Sequence, residues 1–193
     1  SIRPAITPLM WLIAASSFAG LSAISRHSMK PWNPGSTFGV WARTVPGTYL
    51  AFLGRVSPEK PVDRTIQIAK RTGIPLKIAA KIDPTNQEYY EREIEPLLHE
   101  AGPEVEFVGE IGEAQKNEFL GHAYALLFPI DWPEPFGLVM IEAMGCGTPV
   151  VAFRAGSVSE VVDHGTTGFV VDDEAAAAHA ITNHLSSLSR QRI

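Results

Sequence analysis

The sequence predicts a doubly wound α/β domain, in which a parallel sheet carries helices on both faces. Two observations predict it. Short apolar segments alternate with helical patterns from residue 49 to residue 188. The apolar segments are β-branched or unbroken rather than polar–apolar alternating, as strands covered on both faces must be. A helix between successive strands makes those strands parallel, with right-handed crossovers.

Taken in order, the first strand is expected at 49–53, with Gly54-Arg55 as the loop that ends it and a helix at 61–72. The second strand is expected at 76–80, followed by the turn Asp83-Pro84-Thr85-Asn86 and a helix at 87–99. The third strand (105–108) leads to a helix at 113–121, and the fourth (123–128) to a helix at 137–145 that Gly145 and Gly147 end. The fifth (149–153) and sixth (168–171) precede helices at 158–163 and 174–188 respectively on either side of the last strand. Internal repeats and low-complexity segments are absent from the chain.

A chain of 193 residues with 45% hydrophobic content can bury a substantial core. A net charge of −5 argues against a nucleic-acid surface, which needs a basic stripe. The single cysteine, Cys146, forms no intrachain disulfide and suits a reducing compartment. The six histidines (27, 99, 122, 164, 179, 184) are scattered without metal-ligand spacing. His179 and His184, five residues apart on one expected helix, are not expected to share a face.

The segment Trp132 to Thr148, W-P-E-P-F-G-L-V-M-I-E-A-M-G-C-G-T, carries the most chemistry. Glu134 lies in a loop after an apolar run, and Glu142 lies eight residues on, inside a helical pattern. Gly137 falls where that helix begins. The free N–H groups of a first helical turn favour oxyanions. A loop carboxylate accepts hydrogen bonds from sugar hydroxyls, and Glu142, two turns on, can reach a ribose. A second cluster, Gly54-Arg55-Val56-Ser57-Pro58-Glu59-Lys60, follows the first strand. It places two cations where a diphosphate meets the carboxyl edge of a parallel sheet.

These residues resemble the donor site of the retaining GT-B glycosyltransferases of family 4. Glu134-P-F-G-L-V-M-I-Glu142 is similar to that family's E-x7-E motif. Three further segments match in order: Gly147 to Ala152, Gly156 to Val162, and Gly165 to Val170. Gly54-Arg55 through Lys60 resembles G-R-x4-K-G, with Pro61 in place of the last glycine. Proline suits a helix's first position but has no N–H to offer a phosphate. The resemblance covers residues 49–175. It implies a nucleotide-sugar donor domain, one Rossmann-like half of a GT-B fold, that takes a UDP-, GDP- or ADP-hexose without a bound metal or cofactor. By the same resemblance Arg55 and Lys60 neutralise the diphosphate and Glu134 holds sugar hydroxyls. The N–H groups of Phe136, Gly137 and Leu138 face sugar or phosphate, Glu142 binds ribose, and Val108 and Gly109 lie near the base. The glycine-rich turn common after the second strand in the family is Ala80-Lys81-Ile82-Asp83 here.

The expected division is 1–48, a remnant or linker of an acceptor domain, and 49–193, the donor domain. Within the first part, residues 21–25 suit a last strand and Met29-Lys30-Pro31-Trp32-Asn33-Pro34-Gly35 a linker. Residues 4–25 carry no charge, and an apolar stretch at 9–15 gives a second reading, a leader or marginal anchor. A docking segment is preferred, which pairs two chains or covers the donor domain through Trp11, Leu12, Trp32 and Phe38. The location expected is cytoplasmic or peripheral to a membrane. Two other function classes stay open: a nucleotide-sugar binding module without turnover, and a hydrolase that uses the same two carboxylates with water. A dinucleotide-binding domain is disfavoured, because no G-x-G-x-x-G follows the first strand.

Overall fold

The computed structural model describes residues 47–193. Six strands form one sheet: β1 (Tyr49–Arg55), β2 (Leu76–Lys81), β3 (Val105–Gly109), β4 (Ala123–Phe128), β5 (Val150–Phe153) and β6 (Gly168–Val171). Their spatial order is β3-β2-β1-β4-β5-β6, and every pairing is parallel. The order reverses between β1 and β4. That switch point leaves a crevice at the carboxyl ends of the strands, where open α/β sheets bind ligands.

The helices are α1 (Val62–Thr72), α2 (residues 87–101), α3 (Glu113–Gly121), α4 (Leu138–Gly145), α5 (Val158–Val161) and α6 (Glu174–Asn183). They divide between two cores. Leu50, Phe52, Leu127, Val151 and Phe169 face one side of the sheet, against Ile66 and Ala69 of α1, Ile94 of α2, and Ala177 and Ile181 of α6. Tyr49, Ala51, Leu126, Phe128, Val150 and Val170 face the other, against Leu120 of α3, Met140 and Ala143 of α4, and Val158 of α5. In β1, β4, β5 and β6 successive residues alternate between two dry faces, which is why those strands read as nearly unbroken apolar runs; edge strand β3 is only partly covered, with Glu106 and Val108 exposed. Each fully buried Leu, Ile or Val adds roughly 1.5–3 kcal/mol over an exposed one, so these layers dominate the domain's stability. Tyr49 ends its burial in a hydrogen bond from its hydroxyl to the Phe119 carbonyl, at 2.6 Å. Burial first, then the charges of Glu118 and Glu106, push its phenol up to about 12, so it remains a neutral donor.

Several boundaries differ from expectation. Gly54 and Arg55 are strand residues, paired with Ala80 and Lys81, because β2 extends far enough to satisfy their backbones. Pro61 occupies the cap position (φ −68°, ψ 97°) and α1 starts at Val62, so the proline is not the first helical residue. α2 is interrupted by a π turn, Tyr90–Ile94. Pro96 follows in the last segment, Glu95–Ala101. It has no N–H for the carbonyl four residues back, and a wider turn ahead of it accommodates the ring. α5 is shorter than expected, and α6 ends at Asn183 before a separate 3₁₀ turn, Leu185–Ser187. Because His184 leaves the helical path (φ −123°), its ring comes to 5.2 Å from that of His179, a proximity the i, i+5 spacing did not suggest. The expected linker, leader and docking readings fall on residues 1–46, outside the described residues. Among the described residues no helix is long and apolar enough to cross a membrane.

Candidate functional site

A cleft of about 530 Å³ opens at the switch point. The carboxyl ends of β1 and β2 supply Gly54, Arg55, Ala80 and Lys81, and the loop after β1 supplies Lys60. The segment between β3 and α3 gives Glu110 and Ile111, and α3 gives Glu113 and Lys116; the β4–α4 connection gives Glu134 through Gly137, and α4 gives Leu138, Val139 and Glu142. Seven of the nine residues singled out from sequence meet here: Arg55, Lys60, Glu134, Phe136, Gly137, Leu138 and Glu142. Val108 and Gly109 are not among the lining residues. The next two positions, Glu110 and Ile111, take that place in the wall.

The β4–α4 connection is shaped by glycine. Gly137, at the head of α4, has φ +65°. A Cβ there would collide with the Met140 methyl and touch Phe128 and Glu134 at ordinary contact distance. Only glycine accepts this backbone without strain. The turn brings the Gly137 N–H to 3.4 Å from a Glu134 oxygen. No side chain caps α4, so its first turn keeps unsatisfied donors toward the cleft. The Glu134 carboxylate also accepts from the Trp132 indole N–H at 3.2 Å and pairs with Lys60 at 3.7 Å. From behind, Gly156 (φ +52°) lies directly against the Glu134 backbone, and the Ser157 N–H donates to the Glu134 carbonyl at 3.0 Å.

The cations are prepaired. Arg55 and Lys81 both reach Asp83, each at 3.5 Å. Lys116 bridges Glu113 at 2.6 Å and Glu142 at 3.4 Å. Burial works against the Lys116 ammonium, but the two glutamates outweigh it and raise its pKa above the ordinary lysine value. Four cationic side chains (Arg55, Lys60, Lys81, Lys116) and four acidic ones (Glu110, Glu113, Glu134, Glu142) thus line the cleft. Of these charged residues, Lys81, Glu110, Glu113 and Lys116 are not among the site residues expected from sequence. Lys81 sits where a glycine-rich turn was looked for, and Lys116 becomes visible only when α3 packs beside α4. No group of three or more His, Cys, Asp or Glu side chains able to hold a metal occurs among the described residues. Cys146, buried behind α4, has its thiol pKa pushed up by burial and then by Glu142, with Arg190 acting in the opposite sense.

Fold and cleft together define a Rossmann-like domain with a charge-lined cleft at the switch point. Residues 40–192 match the family model described as glycosyl transferases group 1. The chain belongs to that family, as one half of a GT-B fold. It is 31% identical over 162 residues to a D-inositol 3-phosphate glycosyltransferase of Mycobacterium sp. (strain KMS), a match covering 72% of this chain and 32% of the relative. A phosphatidyl-myo-inositol mannosyltransferase of Propionibacterium freudenreichii is 36% identical over 86 residues, covering 42% of this chain and 23% of the relative. Among solved structures, Anabaena Alr3699/HepE in complex with UDP superposes with a TM-score of 0.67 at 26% identity, over 73% of this chain and 40% of that one. Sucrose-phosphate synthase from Thermosynechococcus elongatus gives 0.64 at 29% identity, over 76% of this chain and 40% of that one. The chain spans a third or less of the length of the curated relatives it matches.

Proposed function

We propose that residues 49–193 bind a nucleoside diphosphate hexose as the donor half of a retaining, metal-independent glycosyltransferase, and that an acceptor domain completes the reaction. The observation that carries this reading is the convergence of Arg55, Lys60, Glu134, the α4 N-terminus and Glu142 in one cleft at the switch point. The UDP complex of the Anabaena relative supports the ligand class. In the reaction an acceptor hydroxyl oxygen bonds to the donor's anomeric carbon, the bond from that carbon to the diphosphate oxygen breaks, and the hydroxyl proton leaves with the diphosphate. Arg55 and Lys60, with Lys81 beside them, neutralise the charge that grows on the leaving diphosphate, the role a metal plays in other phosphate sites. Glu134 and the Gly137 N–H hold the sugar, and Glu142 takes the ribose. A domain that offers one wall of a cleft positions donor but not acceptor, so slow donor hydrolysis is the reaction expected of this domain by itself.

Calorimetric titration with UDP, GDP and ADP tests the ligand class. The Lys60 side chain is 25% exposed and that of Arg55 65%. Lys60→Ala should therefore weaken nucleotide binding roughly tenfold, as loss of a charge-assisted hydrogen bond does. Arg55→Ala should cost only about threefold, since an exposed cation is screened. Unchanged binding in both variants would dismiss the diphosphate assignment.

The two glutamates should separate by ligand. Glu134→Gln removes the charge that now pairs with Lys60, so free UDP should bind as well as before or slightly better, while a UDP-hexose loses roughly tenfold. Glu142→Gln should weaken both ligands, because both contain ribose. Titrations of the two ligands against each variant check this, and equal losses in Glu134→Gln would refute its sugar role.

A further inference from the structure

The seam between α3 and α4 carries two polar contacts to which the donor reading gives no task. Lys116, near the start of α3, reaches Glu142 in the second turn of α4, with its Nζ 3.4 Å from Oε1. Glu113, one turn back on α3, holds the same ammonium at 2.6 Å. The next residue, Asn117, accepts from the Cys146 thiol at 3.8 Å, one turn beyond Glu142. Adjacent residues of α3 thus hold positions 142 and 146, four apart and on one face of the helical path.

Lys116 and Glu142 sit deeper than an ordinary surface pair. Their side chains are 23% and 30% exposed, and both line the cleft. A lysine so covered needs an acceptor, and this one has two. To serve a diphosphate, its ammonium would have to leave both carboxylates. Lys60 faces Glu134 alone, at 3.7 Å, and is freer for that task.

The hydrogen bond from Lys116 uses one Glu142 oxygen, and the other makes none among the described residues. A carboxylate with one oxygen tied and the other open has a fixed direction. A mobile glutamate loses rotamer freedom when a ligand orders it, and that loss weakens binding. Lys116 imposes the order before a ligand arrives. Ribose presents two adjacent hydroxyls, each able to donate, so the direction of the accepting carboxylate decides how well they are recognised.

We propose that Lys116 is the positioning residue for Glu142: it fixes the carboxylate in the orientation that recognises ribose, and so makes the site prefer ribonucleotides to deoxyribonucleotides. The inference rests on the donor reading of the cleft, with Glu142 as the ribose ligand. Lys116 itself touches neither sugar nor phosphate.

The test is calorimetric titration of the full chain with UDP and GDP, each alongside its 2′-deoxy and 3′-deoxy forms. The parent should bind the better ribonucleotide roughly tenfold more tightly than at least one deoxy form, as a hydrogen bond to a charged group requires. Lys116→Met keeps the apolar stem and removes the ammonium. It should bring that ratio to about two or less, by weakening the ribonucleotide and sparing the deoxy form. Lys116→Arg can still bridge two carboxylates and should restore most of the ratio. In a Glu142→Gln background, where the ratio is already lost, Lys116→Met should change it no further. Lys70→Met removes a lysine paired with Glu100 outside the cleft, and should leave every affinity at the parent value. Melting curves establish that each variant is folded, with Lys116→Gln in reserve for Lys116→Met.

An unchanged preference in Lys116→Met, with Glu142→Gln still abolishing it, would overturn the positioning role and leave the donor reading intact. Equal weakening of ribo- and deoxynucleotides would put Lys116 on the diphosphate or the base and overturn it as well. A sharper preference in Lys116→Met would mean that the lysine competes with ribose for Glu142, the reverse of the proposal. A parent indifferent to both deoxy changes, or a preference that survives Glu142→Gln, would overturn the ribose assignment and the inference with it. Failure of both UDP and GDP to bind would overturn the donor reading itself.

Discussion

Gly156→Ala should lose both stability and sugar recognition, with a fall in melting temperature on the order of 10 °C. Gly156 has φ +52°, and a Cβ there would run into the backbone N and O of Glu134 and the carbonyl carbon of Pro133. The left-handed conformation alone costs an L-residue about 1–2 kcal/mol. Overpacking against atoms that cannot rotate away adds about 1–3 kcal/mol, and each kcal/mol is worth roughly 2–4 °C in a domain of this size. The relief available is movement of the 132–135 loop, which breaks the hydrogen bond from Ser157 to the Glu134 carbonyl and carries the carboxylate away from the donor. UDP should still bind through Arg55, Lys60 and Glu142, while UDP-hexose loses its advantage over UDP. Gly165→Ala is the control. Gly165 has φ +80° with open space around it, so it carries the conformational cost without the collision. Thermal unfolding of the two variants, with paired titrations of UDP and UDP-hexose, separates the terms. If Gly156→Ala melts with Gly165→Ala and still prefers the hexose, Gly156 does not position the Glu134 loop.

How far the sequence discloses this molecule depends on where each signal resides. The strands were legible because burial on both faces writes itself into a single stretch of chain, as Leu50, Ala51 and Phe52 show by dividing between two cores. Strand ends were not, because pairing decides them. Gly54-Arg55 looks like a loop until Lys81 is found beside it. The π turn in α2 was hidden, since its cause, Pro96, lies beyond the turn it widens. The same division runs through the site. Arg55, Lys60, Glu134 and Glu142 stand at fixed spacings after strands, so sequence order alone brings them to one edge of the sheet. Lys116 meets Glu142 across the α3–α4 contact, and Arg64 meets Asp131 from 67 residues away. No local pattern marks such pairs.

The largest effect on stability away from the cleft is expected from Arg190→Met. Arg190 is 8% exposed and lies near the C-terminus of the chain, yet its guanidinium reaches the opposite edge of the sheet from the ligand site. It donates to the carbonyls of Ala123 at 2.9 Å and Gly121 at 3.1 Å, and to the Thr148 hydroxyl at 2.7 Å. Thr148, fully buried, donates its own hydroxyl hydrogen bond to the Leu120 carbonyl at 2.7 Å. The arginine thus ties the end of α3, the start of β4 and the turn before β5 into one network. Methionine fills similar space but donates nothing. Each of the three acceptors stripped of its partner costs about 1–3 kcal/mol, so a loss of at least about 3 kcal/mol is expected, large against a typical stability of about 5–15 kcal/mol. Thr148→Val removes one link of the same network, so its cost and that of Arg190→Met should not add. Urea unfolding of both single variants and the double variant measures the coupling. Nucleotide affinity should remain at the parent value in every folded sample, because the network stands at the amino ends of the strands. Additive costs, or a loss below about 1 kcal/mol in Arg190→Met, would mean that the carbonyls find water and that the C-terminal segment does not clamp the sheet.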